Sequence, residues 1–318
     1  MNFIQKDVKV KTETIKLPMT DGKMVALHTF VPEGDVKAVV QLSHGMAEYS
    51  MRYAELGKFL CDNGIAFYAH DHRGHGETAE DIDELGFLAE NDGFNRVVND
   101  LHAMIKRCHE DFPGKKVILL GHSFGSFVSQ AFIAKYGEEI DACVLCGSAG
   151  PRPLLTGSGR LLCSLVMKIK GKRSKSPLID SIVFGPYNKK FVADGSDAAW
   201  ICRDKEVVKA YDDSPLCGFK CTNEFFYDFM GGLCSIHKSK TLKKIPKNLP
   251  LFLIAGDDDP VGEYGKSVKK LYDTYQKFDL ADVTLKLYPE ARHELFNEYN
   301  KADVMNDFLV WVLSKIEE

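Results

Sequence analysis

The sequence predicts an α/β fold: a mostly parallel sheet with helices on both faces, interrupted by an inserted helical cap. Three observations predict it. Short apolar segments alternate with helically spaced ones, the rhythm stops between about Gly150 and Leu249, and it resumes at Leu251. Strands alternating with helices imply parallel βαβ units, whose central strands read as continuous apolar runs because both faces are covered.

The elements follow in order. Val8 to Leu17 alternates apolar and polar residues, Thr20-Asp21-Gly22-Lys23 is a turn signal, and Met24 to Val31 forms a second strand. Val36 to Leu42 is short and apolar, as a strand buried on both faces should be. Tyr53 to Asn63 has helical spacing and stops at Gly64, a favoured helix terminator. Ile65 to Ala69 is a strand, and Val97 to Phe112 a helix closed by Pro113-Gly114. Lys116 to Leu120 is a strand, Gly125 to Tyr136 a helix, and Ala142 to Leu145 a strand. Beyond the interruption come a strand at Leu251 to Ala255, a helix at Val261 to Phe278, a strand at Val283 to Tyr288 and a helix at Asn300 to Ile316. Residues 1–149 and 250–318 therefore read as one core, and residues 150–249 as a cap too long for an ordinary loop.

Composition narrows the function. Hydrophobic residues make up 45% and charged residues 27% of the 318, which predicts a packed domain rather than a disordered chain. A net charge of −4 argues against a nucleic-acid partner. Met1 to Asp7 has no apolar core of a secretory signal, and no apolar run is long enough to span a bilayer. Nine cysteines, several inside apolar runs, match reduced thiols in a cytoplasmic setting better than a disulfide framework. Cys143 and Cys146 have C-x-x-C spacing, but no second pair accompanies them and their segment reads as a buried strand.

The chemistry concentrates at Gly121-His122-Ser123-Phe124-Gly125, a G-x-S-x-G motif between a strand and a helix. A sharp strand-to-helix turn would lift the Ser123 hydroxyl above the sheet edge, and side chains two residues away on either side would collide. The Phe124 N–H, at the helix N-terminus, would then face a developing oxyanion. A serine hydroxyl needs a base. His293 is the one histidine beyond the cap, just past a strand, whereas His237 lies in the cap's polar end. An acid must orient the imidazole. Asp257, Asp258 and Asp259 all follow the strand at Leu251 to Ala255, and spacing alone does not separate them. Asp259 precedes Pro260 and also suits a helix N-cap. His44-Gly45-Met46 follows another strand, so the second oxyanion donor is assigned to the Met46 N–H.

These residues resemble the monoacylglycerol lipase and lysophospholipase family of α/β-hydrolases. The matching pieces are Ser43-His44-Gly45-Met46-Ala47-Glu48 with Arg52-Tyr53, Asp71-His72-Arg73-Gly74-His75-Gly76, the Ser123 motif through Ser126, Gly256 with Asp259, and Arg292-His293-Glu294. The resemblance runs in order from about residue 15 onward. It implies that Asp259, three residues after Gly256, is the acid, and it agrees with Met46 as oxyanion donor. It also implies that His70, Asp71, His72 and His75 belong to a structural loop rather than a metal site. Tyr49, where many members carry histidine, bears on substrate preference. The implied reaction is hydrolysis of a monoacylglycerol or lysophospholipid ester without a metal or organic cofactor. A peptidase or thioesterase with the same triad, or a non-catalytic binding protein on this scaffold, are the alternatives.

In the cap, Leu161-Leu162, Leu165-Val166 and Ile169 share one helix face, and Phe219, Phe225, Phe226, Tyr227, Phe229 and Met230 follow. They suit the wall of an acyl pocket, with packing onto the core as the commoner role for most of them. Lys168, Lys170, Lys172, Arg173 and Lys175 form one basic run, and Lys238, Lys240, Lys243, Lys244 and Lys247 a second. They suggest weak docking on anionic lipid, against a default of solvated loops.

Overall fold

The computed structural model describes residues 9–317. Among them, one sheet of eight strands runs in the order β1-β2-β4-β3-β5-β6-β7-β8. The strands are β1 (Val10–Pro18), β2 (Met24–Pro32), β3 (Ala38–Ser43), β4 (Ile65–His70), β5 (Lys116–His122), β6 (Ala142–Cys146), β7 (Leu251–Gly256) and β8 (Val283–Tyr288). β2 is antiparallel to β1 and β4, and every other pair is parallel. This is the α/β-hydrolase fold. Val8, expected to start the first strand, and the segment Met1 to Asp7 lie outside the described residues.

The apolar runs become the middle of the sheet because helices cover both faces. α1 (Ala54–Asp62) packs on one face, and α2 (Gly93–Asp111) and α3 (Phe124–Tyr136) on the other. Side chains alternate across each strand. Val117 and Leu119 of β5 join the core under α2 and α3, while Ile118 and Leu120 join the core under α1. The same alternation settles the C-x-x-C pair. Cys143 and Cys146 are three residues apart on β6 and enter opposite cores, so they cannot share a ligand. All nine cysteines are free thiols, and burial pushes the Cys143 thiol well up, beyond any physiological ionisation.

Between β6 and β7 lie α4 (Pro153–Lys170), α5 (Pro177–Phe184), α6 (Lys205–Asp213), α7 (Asn223–Ile236) and the single turn α8 (Ser239–Leu242), with no strand among the described residues. α7 is amphipathic toward the core. Phe225 and Phe229 lie 5.1 and 5.3 Å, centroid to centroid, from the Phe124 ring, so much of its aromatic content is packing. α4 behaves differently. It rests on α7, yet Leu161, Leu165 and Ile169 point outward, with Ile169 82% exposed. Helical spacing identified a shared face but not its direction. No described helix is long and apolar enough to cross a membrane.

After β7 the chain forms α9 (Lys266–Lys277), then β8 and α10 (Lys301–Ile316). α9 starts five residues later than its periodicity suggests. Glu263, Tyr264 and Gly265 all have left-handed φ values of 51°, 56° and 84°, which no α-helix tolerates in succession. Asp259 is therefore not a helix N-cap. That role passes to Gly265, and the aspartate is free for another partner.

Candidate active site

The end of β5 and the start of α3 leave one residue between them, Ser123, at φ 51° and ψ −119°. A non-glycine residue there carries strain of about 1–3 kcal/mol, which its neighbours must hold. The Ser123 N–H donates to the Cys146 carbonyl at 3.0 Å, and its own carbonyl accepts the Ser126 N–H at 2.9 Å. The flanking glycines are obligatory. A Cβ on Gly125 would stand 1.9 Å from the Ser43 carbonyl oxygen, and one on Gly121 2.3 Å from Ser129 Oγ.

Of the three adjacent aspartates, one meets the histidine. Asp259 Oδ2 lies 3.0 Å from His293 Nδ1, with the carboxylate fully buried. Its Oδ1 accepts the Val261 N–H at 2.8 Å. Asp257 instead accepts the Glu290 N–H, and Asp258 pairs with Lys190. On the far side of the ring, His293 Nε2 is buried with no hydrogen-bond partner. His293 and Ser123 line the same cavity. Trp200, from the segment before α6, lies 5.1 Å from the imidazole, centroid to centroid.

The expected oxyanion donors border the same cavity. Phe124 is the first residue of α3, where a backbone N–H has no intrahelical acceptor. Met46 sits in a cramped loop whose next residue, Ala47, has φ 53°. The loop is pinned on both sides of Met46: the Gly45 N–H donates to Glu48 Oε1 at 2.5 Å and the Ala47 N–H to His75 Nε2 at 3.2 Å.

The histidine-rich loop serves this backbone. The His72 N–H donates to His44 Nε2 at 3.0 Å, and His75 Nδ1 donates to the Arg73 carbonyl at 2.8 Å. Asp71 accepts the N–H groups of Ser50 and Glu77. Burial pushes His70 and His75 down to about 3, so both act as neutral hydrogen-bonding groups. Among the described residues no cluster of three or more histidine, cysteine or acidic side chains is arranged to hold a metal ion.

A buried charged network beneath the oxyanion loop has roles that sequence reading did not assign. Glu48 accepts from Tyr53 Oη at 3.0 Å and from Arg52 at 2.8 Å, and its Oε1 lies 3.0 Å from His122 Nδ1. Arg52 also grips both oxygens of Glu294, at 2.5 and 2.7 Å. Burial opposes charge on His122, but the hydrogen bond and charge of Glu48 outweigh it and raise its affinity for a proton. His122 Nε2 in turn lies 3.3 Å from the His293 carbonyl. The network thus joins the oxyanion loop, the serine turn and the histidine loop. Its members Glu48, Arg52, Tyr53, His122 and Glu294 all fall in the pieces that match the family, but the sequence carries no sign that they meet.

The cavity occupies about 1030 Å³, including its solvent-open mouth. Phe127, Phe184, Met230 and Leu233 make its walls apolar. A second cavity of about 1450 Å³, also solvent-open, shares Leu155, Val183, Tyr187 and Met230 with the first.

Residues 34–300 match the family model described as serine aminopeptidase, S33. The chain is 28% identical over 300 residues to a monoacylglycerol lipase of Mycolicibacterium smegmatis, covering 93% of this chain and 95% of that one. It is 25% identical over 305 residues to human monoglyceride lipase, covering 92% and 88%. Among solved structures, a thermostable carboxyl esterase from Bacillus coagulans superimposes with a TM-score of 0.88 at 24% identity, covering 96% of this chain and 99% of that one. A lipase in an open form superimposes with a TM-score of 0.86 at 26% identity, covering 97% and 100%.

Proposed function

The chain belongs to the family described as serine aminopeptidase, S33, and we propose that within it this protein hydrolyses monoacylglycerols through Ser123, His293 and Asp259. It is a monoacylglycerol lipase-like α/β-hydrolase and a carboxylic ester hydrolase. The observation that carries the finer reading is the buried Asp259–His293 pair, which leaves Nε2 without a partner in a histidine that lines an apolar-walled cavity together with Ser123.

Ser123 Oγ attacks the ester carbonyl as His293 Nε2 takes its proton. Asp259 holds the Nδ1–H tautomer and stabilises the imidazolium. The Met46 and Phe124 N–H groups stabilise the tetrahedral oxyanion, a contribution of about 3 kcal/mol for each well-placed donor. The alcohol leaves with the proton from His293. Water, activated by the same imidazole, then attacks the acyl-enzyme, releases the fatty acid and restores Ser123. The acyl chain lies in the apolar part of this cavity. Residues 150–249 serve as the cap over a core of residues 1–149 and 250–318.

The experiment compares kcat/KM for one acyl group presented as a glycerol ester, a lysophospholipid, a thioester and an aminoacyl anilide. The glycerol ester is expected to be the best substrate and the anilide the worst. A preference for the anilide would make the protein a peptidase and overturn the proposal. A preference for the lysophospholipid would move the substrate within the ester class.

The outward face of α4 supports contact with an anionic lipid surface. Leu154 is 90% exposed, and the exposed Lys168 and Lys170 flank Ile169 at the helix end. Burial of these side chains in the interface, with about 1 kcal/mol from each lysine, gives weak and salt-sensitive binding. Co-sedimentation with phosphatidylserine-containing vesicles is expected at low salt and lost at high salt. Equal binding to pure phosphatidylcholine, or none to either, would exclude this contact.

A further inference from the structure

His237, left unassigned by the chemistry above, lines the same cavity as Ser123. Its Nε2 lies 2.9 Å from Gln130 Oε1. Gln130 Nε2 is 2.9 Å from Ser148 Oγ and 3.5 Å from the Ala149 carbonyl, so the amide nitrogen must face that pair and the amide oxygen must face His237. Ser148 Oγ is 2.8 Å from Ser126 Oγ, and Ser126 Oγ is 2.6 Å from the Ser123 carbonyl.

Donor counting gives this chain one direction. The Ser123 carbonyl can only accept, so the single Ser126 hydroxyl hydrogen goes to it. Ser148 must then donate to Ser126 and accept from Gln130. Gln130 Oε1 must accept from His237, which requires hydrogen on Nε2. His237 is therefore held as the Nε2–H tautomer, and its Nδ1 carries a bare lone pair. Burial, with the nearby Lys270 charge adding to it, pushes the imidazole down to about 4, so it stays neutral at ordinary pH. No hydrogen bond to Nδ1 is formed within the described residues. An acceptor of fixed tautomer in a wall made with Phe127, Met230 and Leu233 favours a ligand that brings a hydrogen and penalises an apolar ligand that buries it unpaired.

We propose that His237 Nδ1 is a specificity-determining acceptor for a substrate hydroxyl, selecting hydroxyl-bearing esters over matched esters that lack it. The proposal rests on the ester-hydrolase reading. The hydroxyl can come from the alcohol part of the ester or from an oxygenated acyl chain.

The test measures kcat/KM ratios for two substrate pairs in wild type, His237→Leu and His237→Gln. One pair is monooleoylglycerol against propyl oleate. The other is a hydroxylated against a plain p-nitrophenyl alkanoate. In at least one pair, wild type should prefer the hydroxylated member by about three- to tenfold, the effect of one neutral hydrogen bond. Leucine should bring that ratio to about one. Glutamine, whose amide can donate to Gln130 and still accept at its oxygen, should retain most of it. No preference in wild type, unchanged ratios in His237→Leu, or equal loss in both variants would overturn the proposal. Plain p-nitrophenyl ester turnover reports separately on the ester-hydrolase reading: its absence from wild type would sink that reading instead.

Discussion

Ser123→Ala is expected to lower kcat on its best ester by about a million-fold, or roughly 8 kcal/mol of barrier, while the protein remains folded. The effect is large because alanine has no hydroxyl with which to form the acyl-enzyme. Residual turnover would come from water placed against the same oxyanion donors, as expected when nucleophile and base act as a unit. Stability should change little. Alanine keeps the Cβ, and the backbone bonds from residue 123 to Cys146 and Ser126 do not involve the hydroxyl. Initial rates and thermal melts on the same preparation check both halves. Retention of more than about a thousandth of the activity would transfer the nucleophile's role elsewhere.

Asp259→Asn should cost about 10⁴-fold in kcat, through a change of tautomer. The Val261 N–H needs an acceptor, so the asparagine oxygen takes the place of Oδ1. Its NH2 group then faces His293 Nδ1, which must accept instead of donating. The imidazole proton moves to Nε2, the atom that should receive the proton from Ser123. Asp257→Asn and Asp258→Asn provide the control, since one carboxylate holds the Glu290 N–H and the other pairs with Lys190. Both should stay within about threefold of wild type, the scale of a modest surface change. Steady-state kinetics of the three variants decide it, and equal losses in all three would remove Asp259 from its role.

The three aspartates mark where sequence reading ends. They follow one strand in succession, and which of them faces the histidine depends on backbone angles between residues 256 and 265. Three successive left-handed residues delay α9, which periodicity could not reveal because Val261 and Val268 still suit a helix. The central strands were legible because burial on both faces leaves an unbroken apolar run, as in Val144 and Leu145 of β6. Ser123 was legible because crowding at its turn demands glycine on both sides. The Glu48–His122–Glu294 network was not, because its members are brought together only by the sheet edge and are 74 and 172 positions apart. The outward face of α4 was misjudged for a similar reason: spacing groups leucines on one side of a helix, and only the packing of α7 beneath it decides which side that is.

The most direct measurement is peptide mapping by mass spectrometry after reaction with a fluorophosphonate, which phosphonylates only a serine activated by an adjacent base. A single adduct on the peptide containing Ser123, abolished in His293→Ala, is the predicted result. An unreactive Ser123 in folded protein, or an adduct on another residue, would contradict the proposed triad.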